Sequence, residues 1–558
     1  EMQRSLVGSE MCIRDSCEDF LDKREDVGLT EDDIFRDYYS LRGFLDQSFN
    51  QLENVMVMDN WENGRAFVGL FADEMATTDN SSAVFTLHSG NWLSNAKSNT
   101  TFEIGNGGST AISRSYKALR INNRIINDID KAPLTPEQKN EILGQAYFYR
   151  SWFYFQIIKR YGGMPIIDKV FEGGDDDIPR VTYHESHDWM MEDIQKAIYM
   201  LPDSWDDPNY GRPTKIAAMA LKEWAQLFDA SPLMQNDLNS TENKGYDTER
   251  AKSAAKSAYE VIRYMDGSKS APYPYGLASK EEYTNVFYFK YPPVHQPEYI
   301  WVKRQFPNAA NQNQKRTIRT FWQYEDLAFG SGPDGNSMCC PSLNIVNMFD
   351  KKGADGIYYP IDDPRSGYAL DYAHKPFEDR DPRFYNNILL PGTTWGHYAD
   401  GRTYYITTYK GGAAYQHMLT QKDCNKRMFT GFMCKKFMWP ECNQYLEKNN
   451  PNCWWDYRFL TIYIRASQIY LDYAEALFEG CGSATATIEG CPISAAEAIN
   501  ILRRRIGLTD LPSDIVADPD KFRAAYRRER AVELMFENHR WWDIRRWMIL
   551  EETFKDTY

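Results

Sequence analysis

The stretch TPEQKNEILGQAYFYRSWFYFQIIKRYGGMP, residues 135–165, decides the fold class. Thr135 followed by Pro136 is typical of a helix start, because the hydroxyl caps a free amide and proline has no amide to leave unpaired. Apolar side chains then recur at intervals of three and four as far as Ile157. The glycines and proline of residues 162–165 end the pattern. The sequence therefore predicts one long helix here.

Similar periodicity predicts helices on both sides of this stretch. The predicted ranges are 33–52, 113–129, 189–201, 217–228, 248–264 (capped by Thr248), 463–478, 494–506 and 521–536. They fall as antiparallel pairs that resemble tetratricopeptide units, without the strict repeat signature. We predict a mostly α fold of four degenerate tetratricopeptide-like helical pairs, with few short strands and a loop-rich ligand-binding face. A central sheet of five or more strands would contradict this prediction.

The periodicity breaks in residues 271–458, where Gly, Pro, Asn, Tyr and Trp are frequent. Irregular segments of this length are uncommon in compact domains unless they carry function. We therefore divide the chain into an N-terminal helical part, residues 31–270, and a C-terminal part with long loops, residues 271–558.

The composition is rich in aromatic residues for so polar a chain. There are 37 Tyr, 29 Phe and 15 Trp among 558 residues, at a mean hydropathy of −0.61. Many rings must therefore be half exposed, which favours a surface on which ligands stack. The net charge of −15 and the lack of a long basic stretch argue against nucleic acid as a partner. No apolar run approaches the ~20 residues of a membrane-spanning helix.

The first residues bear on processing of the chain. Residues 1–16 lack the apolar middle of a signal peptide and contain SLVGSEMCIRDS, which resembles sequencing-adaptor read-through, so we interpret them as non-native. Ser16-Cys17 followed by Glu18 and Asp19 is typical of a lipoprotein processing site. We predict lipidation of Cys17, with residues 17–30 as a tether.

Further cysteines lie towards the C-terminus. Cys481 and Cys491 bracket a loop of small residues that a disulfide would staple, if the protein is exported. The spacings among Cys424, Cys434, Cys442 and Cys453 do not match paired zinc ligation. These cysteines are expected to form disulfides or to remain free thiols.

Several segments resemble motifs of the SusD/RagB family, in the family's order and along almost the whole chain. They are CEDFLD (17–22), GQAYFYRSWFYFQIIKRYGGMP (144–165), DDIPR (176–180), GRPTKIAAMALKEWAQLFDASPL (211–233), PSLNIVNMFDKKGADG (341–356), RDPRF (380–384), TGFMCKKF (430–437), IRASQIYLDYAEAL (464–477), INILRRRIGL (499–508) and RRERAVELMFENHRWWDIRRW (527–547). Family members begin with a signal peptide and continue beyond the last motif, so we expect this chain to be truncated at both ends.

The resemblance implies a function as well as a fold. It implies an outer-membrane lipoprotein at the cell surface, held to the membrane by its lipid anchor alone. This protein would bind an oligosaccharide or polysaccharide and deliver it to a SusC-like TonB-dependent transporter, without catalysis and without a cofactor. Some relatives handle peptides, so peptide uptake is the alternative within the family.

The resemblance also implies a shallow site built from two places, where rings cover the apolar face of a sugar and polar groups meet its hydroxyls. The loop before the second helix offers Asp79, Asn80, Asn91 and Trp92. The irregular segment after the helical array offers Tyr283, Tyr288, Phe289, Trp322, Gln323 and Tyr324. A third group is Trp395, His397 and Tyr398. We predict that Trp92 and Trp322 are solvent-accessible and face one concave surface.

A glycoside hydrolase is the alternative from another class. It would need two carboxylates about 5–10 Å apart in a cleft. Glu529 and Glu533 lie on or beside the apolar face of the last long helix, where a carboxylate needs a cationic partner. The arginines that could supply it are Arg503, Arg504, Arg505, Arg545 and Arg546. We therefore assign both glutamates, and the nearby Trp541, Trp542 and Trp547, to the protein frame.

Metal and nucleotide motifs are weak or missing. His184-Glu185-Ser186-His187 lacks the spacing of a zinc-binding HExxH helix, so we interpret it as a solvated helix start. Walker, GxSxG and Rossmann glycine patterns do not occur. The sequence predicts neither a metal site nor a cofactor.

Overall fold

The helices and strands were located in a computed structural model. It describes residues 30–52, 68–77, 111–171, 177–235, 242–271, 273–288, 295–304, 339–371, 375–397, 403–412, 430–437 and 460–555. The helices are α1 Glu31–Ile34, α2 Tyr38–Gln51, α3 Ala111–Asp128, α4 Pro136–Tyr161, α5 Tyr183–Met200, α6 Lys215–Ala230, α7 Thr248–Gly267, α8 Leu343–Met348, α9 Tyr368–Asp371, α10 Pro382–Asn387, α11 Ala466–Cys481, α12 Ala495–Ile506, α13 Ser513–Ala517, α14 Pro519–Glu533, α15 Arg540–Arg546 and α16 Leu550–Phe554.

Eight helices form the frame by packing in sequence order. Each of α2 to α6 packs on the next, α7 packs on α11, and α11 packs on α12. The eight helices make four successive pairs: α2–α3, α4–α5, α6–α7 and α11–α12. The segment between α7 and α11 separates the fourth pair from the third in sequence. The mostly helical fold is therefore confirmed.

The strands form only two-stranded sheets within the described ranges. They are β1 Met75–Thr77, β2 Tyr299–Arg304, β3 Cys339–Pro341, β4 Lys351–Lys352, β5 Tyr358–Tyr359, β6 Ile388–Leu389, β7 Thr394–His397, β8 Thr403–Tyr405, β9 Met433–Cys434 and β10 Leu460–Arg465. The antiparallel pairs are β1–β3, β2–β10, β4–β5, β6–β9 and β7–β8. Three of these pairs, β1–β3, β2–β10 and β6–β9, join segments that are distant in sequence.

The helix ends follow the side chains that cap them. Thr135 accepts from the Gln138 amide while the Gln138 side chain accepts from the Thr135 amide, and Gly162 ends α4 at a φ of 79°. One predicted cap is wrong by a residue. Asp247, not Thr248, caps α7, because its carboxylate accepts from two amides of the first turn.

The helix predicted over 463–478 begins later than expected. Residues 460–465 form β10, in which every side chain is buried, and the helix begins only at Ala466. A short apolar run does not distinguish a buried strand from a helix. Here the pairing with β2 makes residues 460–465 a strand. It also places Trp301 against Tyr463, with ring centroids 4.5 Å apart. Trp152 of α4 completes this aromatic core, 4.7 Å from the Trp301 ring.

Buried ion pairs fasten α14 to the rest of the C-terminal part. Glu529 accepts from Arg383 and Arg503, while Glu533 accepts from Arg505 at 2.6 Å and from Arg465 at 2.9 Å. Burial alone would raise the pKa of Glu533, but the surrounding arginines outweigh it and hold that pKa well below its ordinary value. Both glutamates are thus part of the frame. Two of their partners, Arg503 and Arg505, are among the arginines that the sequence suggested, and the other two, Arg383 and Arg465, are not.

Other expectations for the C-terminal part concern tryptophans and cysteines. Trp541, Trp542 and Trp547 are buried in the core, as predicted. Cys481 and Cys491 are free thiols in the structure, so the disulfide expected across the loop between them is not formed. Cys17 lies outside the described residues. Among the helices that are described, none is both long and apolar enough to cross a membrane.

Candidate functional site

A shallow depression lined by rings lies where three segments meet: the α5–α6 connection, the residues after α7, and the start of β2. Its volume is about 110 Å³. The lining side chains used below are Trp205, Tyr210, Arg212, Tyr273, Tyr275, His295 and Gln296. A cavity of this size holds a few water molecules. It therefore admits the edge of a ligand lying across it and does not enclose a whole one.

Two rings of the depression are stacked. Tyr273 and His295 lie face to face, with centroids 3.7 Å apart and planes 22° apart. Tyr210 meets the His295 ring edge-on at 4.4 Å. The Asp207 carboxylate lies 3.2 Å from His295 Nε2 and accepts from the Tyr273 hydroxyl at 3.4 Å. One exposed carboxylate thus orients both stacked rings.

Hydrogen bonds from two indoles hold the connection that carries Trp205 and Tyr210. The Trp205 indole donates to the Pro213 carbonyl at 2.8 Å, and the buried Trp301 indole donates to the Gly211 carbonyl at 3.2 Å. Gly211 has a φ of 98°, a conformation that side-chain-bearing residues rarely adopt. The backbone of this connection therefore joins Trp205 and Tyr210 to the aromatic core.

Arg212 ties the same connection to two helices. Its guanidinium donates to Gln145 of α4 at 3.0 Å and to Asp46 of α2 at 2.9 Å. Burial acts against the charged form, but Asp46 outweighs it and raises the pKa of Arg212. Burial also raises the pKa of Tyr275, so this phenol remains a hydrogen-bond donor at neutral pH. The depression thus combines ring faces with hydroxyl, amide and carboxylate groups.

The structure places few of the side chains predicted to bind ligand. Tyr283 is fully buried, with its ring packed on Phe287 and under the Arg505 guanidinium. The prediction that Tyr283 faces a ligand is therefore wrong, because the ring fills the core beside the ion pairs of α14. Tyr288 is half-buried, and burial raises its pKa to about 12.

The third predicted group lies on a hairpin. Trp395 and His397 belong to β7, which pairs with β8. Tyr405 of β8 is 61% exposed and the following Tyr409 is 51% exposed. The hairpin thus offers a second aromatic surface. The other predicted site residues lie outside the described residues: Asp79, Asn80, Asn91, Trp92, Phe289, Trp322, Gln323, Tyr324 and Tyr398.

Two carboxylates that come together are buried too deeply to act on a sugar. Glu223 of α6 and Asp472 of α11 are both inaccessible to solvent. Burial and then the Asp472 charge raise the pKa of Glu223, while burial is the main cause that raises the pKa of Asp472. Arg530 donates to Asp472 from α14. This pair lies inside the helical stack and not in a cleft, so it does not support hydrolysis.

Two segments of the sequence have a composition that indicates the depression. SWDDPNYGRP (204–213) places a Trp and a Tyr beside acidic and amide side chains, and PYPYG (272–276) adds two tyrosines. The first segment lies between two predicted helices and the second at the start of the irregular segment, and neither contains a residue predicted to bind ligand. Both segments contact residues 297–301, through the bond from the Gly276 amide to the Pro297 carbonyl and the bond from the Trp301 indole to the Gly211 carbonyl, and helical periodicity does not predict such contacts.

Comparisons with known proteins agree with this fold. The family model described as "SusD family" matches residues 297–558, and the model described as "Starch-binding associating with outer membrane" matches residues 19–223. No curated protein matches the chain significantly.

Solved structures share the fold along nearly the whole chain. A SusD-like protein from Bacteroides fragilis NCTC 9343 is 23% identical, with a TM-score of 0.67, over 94% of this chain and 89% of that one. A SusD-like carbohydrate binding protein from the same strain is 20% identical, with a TM-score of 0.64, over 93% and 88%. A laminarin binding SusD-like protein is 17% identical, with a TM-score of 0.58, over 93% of each chain. These structures show the fold, and the two family models together match residues 19–223 and 297–558; on these two matches, the chain belongs to the SusD/RagB family.

Proposed function

We propose that the protein binds an oligosaccharide on the ring platform formed by Trp205, Tyr210, Tyr273 and His295. The observation that carries this proposal is the face-to-face stack of Tyr273 on His295, with both rings oriented by Asp207. Flat rings with polar edges suit the apolar C–H faces and outward hydroxyls of a pyranose. Family membership and the descriptions of two structural neighbours as carbohydrate binding and laminarin binding support the same ligand class.

We further propose that the bound glycan is passed to a SusC-like TonB-dependent transporter, with the protein anchored to the outer membrane through a lipid on Cys17. The protein would act by binding alone. Trp92 and Trp322 remain proposals for additional sugar contacts, since neither is described in the structure.

A glycan array followed by calorimetry tests the proposal. The array should include starch-, laminarin- and mannan-type oligosaccharides and a peptide set, and calorimetry should follow with the best ligand. Tyr273→Ala should weaken binding by about thirty- to a thousand-fold, corresponding to ~2–4 kcal/mol for a ring that anchors a ligand. Tyr405→Ala is the matched control, since it removes an exposed tyrosine from the β7–β8 hairpin.

Each outcome has a definite meaning. Loss of binding in Tyr273→Ala with unchanged binding in Tyr405→Ala supports the platform. Loss of binding in Tyr405→Ala with unchanged binding in Tyr273→Ala would place the site on the β7–β8 hairpin. Binding only to peptides would contradict a glycan ligand.

A further inference from the structure

A second cluster of polar side chains lies where the start of α5, the end of α6 and the start of α7 meet. His184, His187 and Asp188 belong to α5, Asp229 to α6 and Arg250 to α7. None of these residues lines the ring platform. The sequence predicts a solvated helix start here, which is wrong for His187, because α6 covers its imidazole and leaves that side chain 4% exposed.

The ligand-type atoms of the cluster converge. His184 Nδ1 lies 2.7 Å from Asp229 Oδ1, and His187 Nδ1 lies 3.0 Å from Asp188 Oδ1 and 3.4 Å from Asp229 Oδ2. Potential ligand atoms of His187, Asp188 and Asp229 all lie within 4.8 Å of one another. Two imidazoles one turn apart on α5 thus face one buried carboxylate of α6.

Burial and charge favour a cation at this point. The Asp229 side chain is 2% exposed, whereas those of His184 and Asp188 are 31% and 64% exposed, which leaves a path to solvent. Two carboxylates face a single guanidinium, from Arg250. The carboxylates of Asp188 and Asp229 therefore outnumber the guanidinium by one.

We propose that this cluster binds a divalent transition-metal ion, with zinc as the best fit. His187 and Asp229 would be the buried ligands, and His184 and Asp188 the ligands on the solvent side. Zinc takes nitrogen and oxygen ligands at about 2.0–2.1 Å, which places tetrahedral ligand atoms roughly 3.4 Å apart. The separations of 2.7, 3.0 and 3.4 Å lie within about 1 Å of that spacing. The ion would join α5 to α6.

Arg250 gives the proposal a distinctive signature. Its guanidinium donates to Asp229 and lies 3.5 Å from Asp188, so it neutralises the carboxylates that zinc would use. Its side chain is 31% exposed and has room to turn towards solvent. Removing this competing cation should therefore tighten zinc binding. A cluster that serves only as an ion pair would gain nothing from that change.

The test is calorimetric titration of the EDTA-stripped protein with zinc chloride. Wild-type protein should show a site that His184→Ala and Asp188→Asn each weaken by at least about tenfold, since even residues that only orient metal ligands cost that much. Arg250→Gln should bind zinc more tightly than wild type. Glu185→Gln is the matched control: this residue lies on the same helix turn, but its side chain caps α5 through Thr182, a role that glutamine also fills.

Circular dichroism should show that every variant is folded, and the mostly exposed Asp188 keeps the test valid if a histidine variant is not. Calcium should not compete, because it prefers oxygen ligands alone. Equal zinc affinity in wild type, His184→Ala and Asp188→Asn would overturn the proposal. So would weaker binding in Arg250→Gln.

Discussion

Glu74 offers a quantitative test of the described core. Its carboxyl group is fully buried beside Asp73, and one of its oxygens accepts from the Phe536 amide at 3.0 Å. Burial, followed by the Asp73 charge, outweighs that hydrogen bond and raises the pKa of Glu74 from 4.5 to about 8. At neutral pH the folded protein therefore keeps this carboxyl group protonated.

The sign of the pH dependence follows from proton linkage. Between pH 4.5 and 8 the folded state holds a proton that the unfolded state has released, so the free energy of unfolding falls as the pH rises. One pKa unit corresponds to about 1.4 kcal/mol, so the shift is equivalent to roughly 4–5 kcal/mol. About 4 kcal/mol of this should be lost between pH 5 and pH 8.5.

The perturbation is Glu74→Gln, which mimics the protonated side chain at all pH values. Urea unfolding of wild type and variant should be measured at several pH values across this range. The variant should gain stability relative to wild type, by about 4 kcal/mol in total, as the pH rises. Glu185→Gln, which alters an exposed glutamate, should show no such trend. A constant difference between Glu74→Gln and wild type would refute the assignment of a protonated Glu74.

Four further predictions concern the frame and the anchor. Arg465→Met should destabilise the fold by about 3–5 kcal/mol, because it leaves the buried Glu533 charge short of a partner, and urea unfolding should detect this. Trp301→Ala should lower the melting temperature, at a cost of about 3–5 kcal/mol, and should also weaken glycan binding, since its indole supports the ring platform. Tyr283→Phe should leave glycan affinity unchanged in calorimetry, because this buried ring faces no ligand. Mass spectrometry of protein expressed with a restored signal peptide should find a diacylglyceryl group on Cys17.

Local sequence patterns predicted the helical frame because its signals are local. Thr135 and Gly162 mark the two ends of α4 by their own chemistry, whatever the rest of the chain does. The start of α11 was misplaced because residues 460–465 become a strand only through pairing with β2. Asp247 was missed as a cap in favour of its neighbour, which is also a good capping residue.

The candidate site was harder to predict, because it depends on distant segments meeting. Tyr283 resembled a loop ring in sequence but fills the space beside Arg505 and Glu533. Tyr273 and His295 looked unremarkable in sequence, yet the fold stacks them on each other. Ring-plus-amide composition identifies segments capable of binding sugars. It does not predict which of these rings are buried in the core.

The central claim is that the platform of Trp205, Tyr210, Tyr273 and His295 binds a glycan, and one measurement tests it most directly. Saturation-transfer NMR with the best oligosaccharide from the array should be recorded for wild type and for Tyr273→Ala. The account predicts strong transfer to the pyranose C–H protons in wild type and its loss in the variant, with thermal unfolding nearly unchanged. Undiminished transfer in Tyr273→Ala would contradict the account and place the glycan elsewhere on the protein.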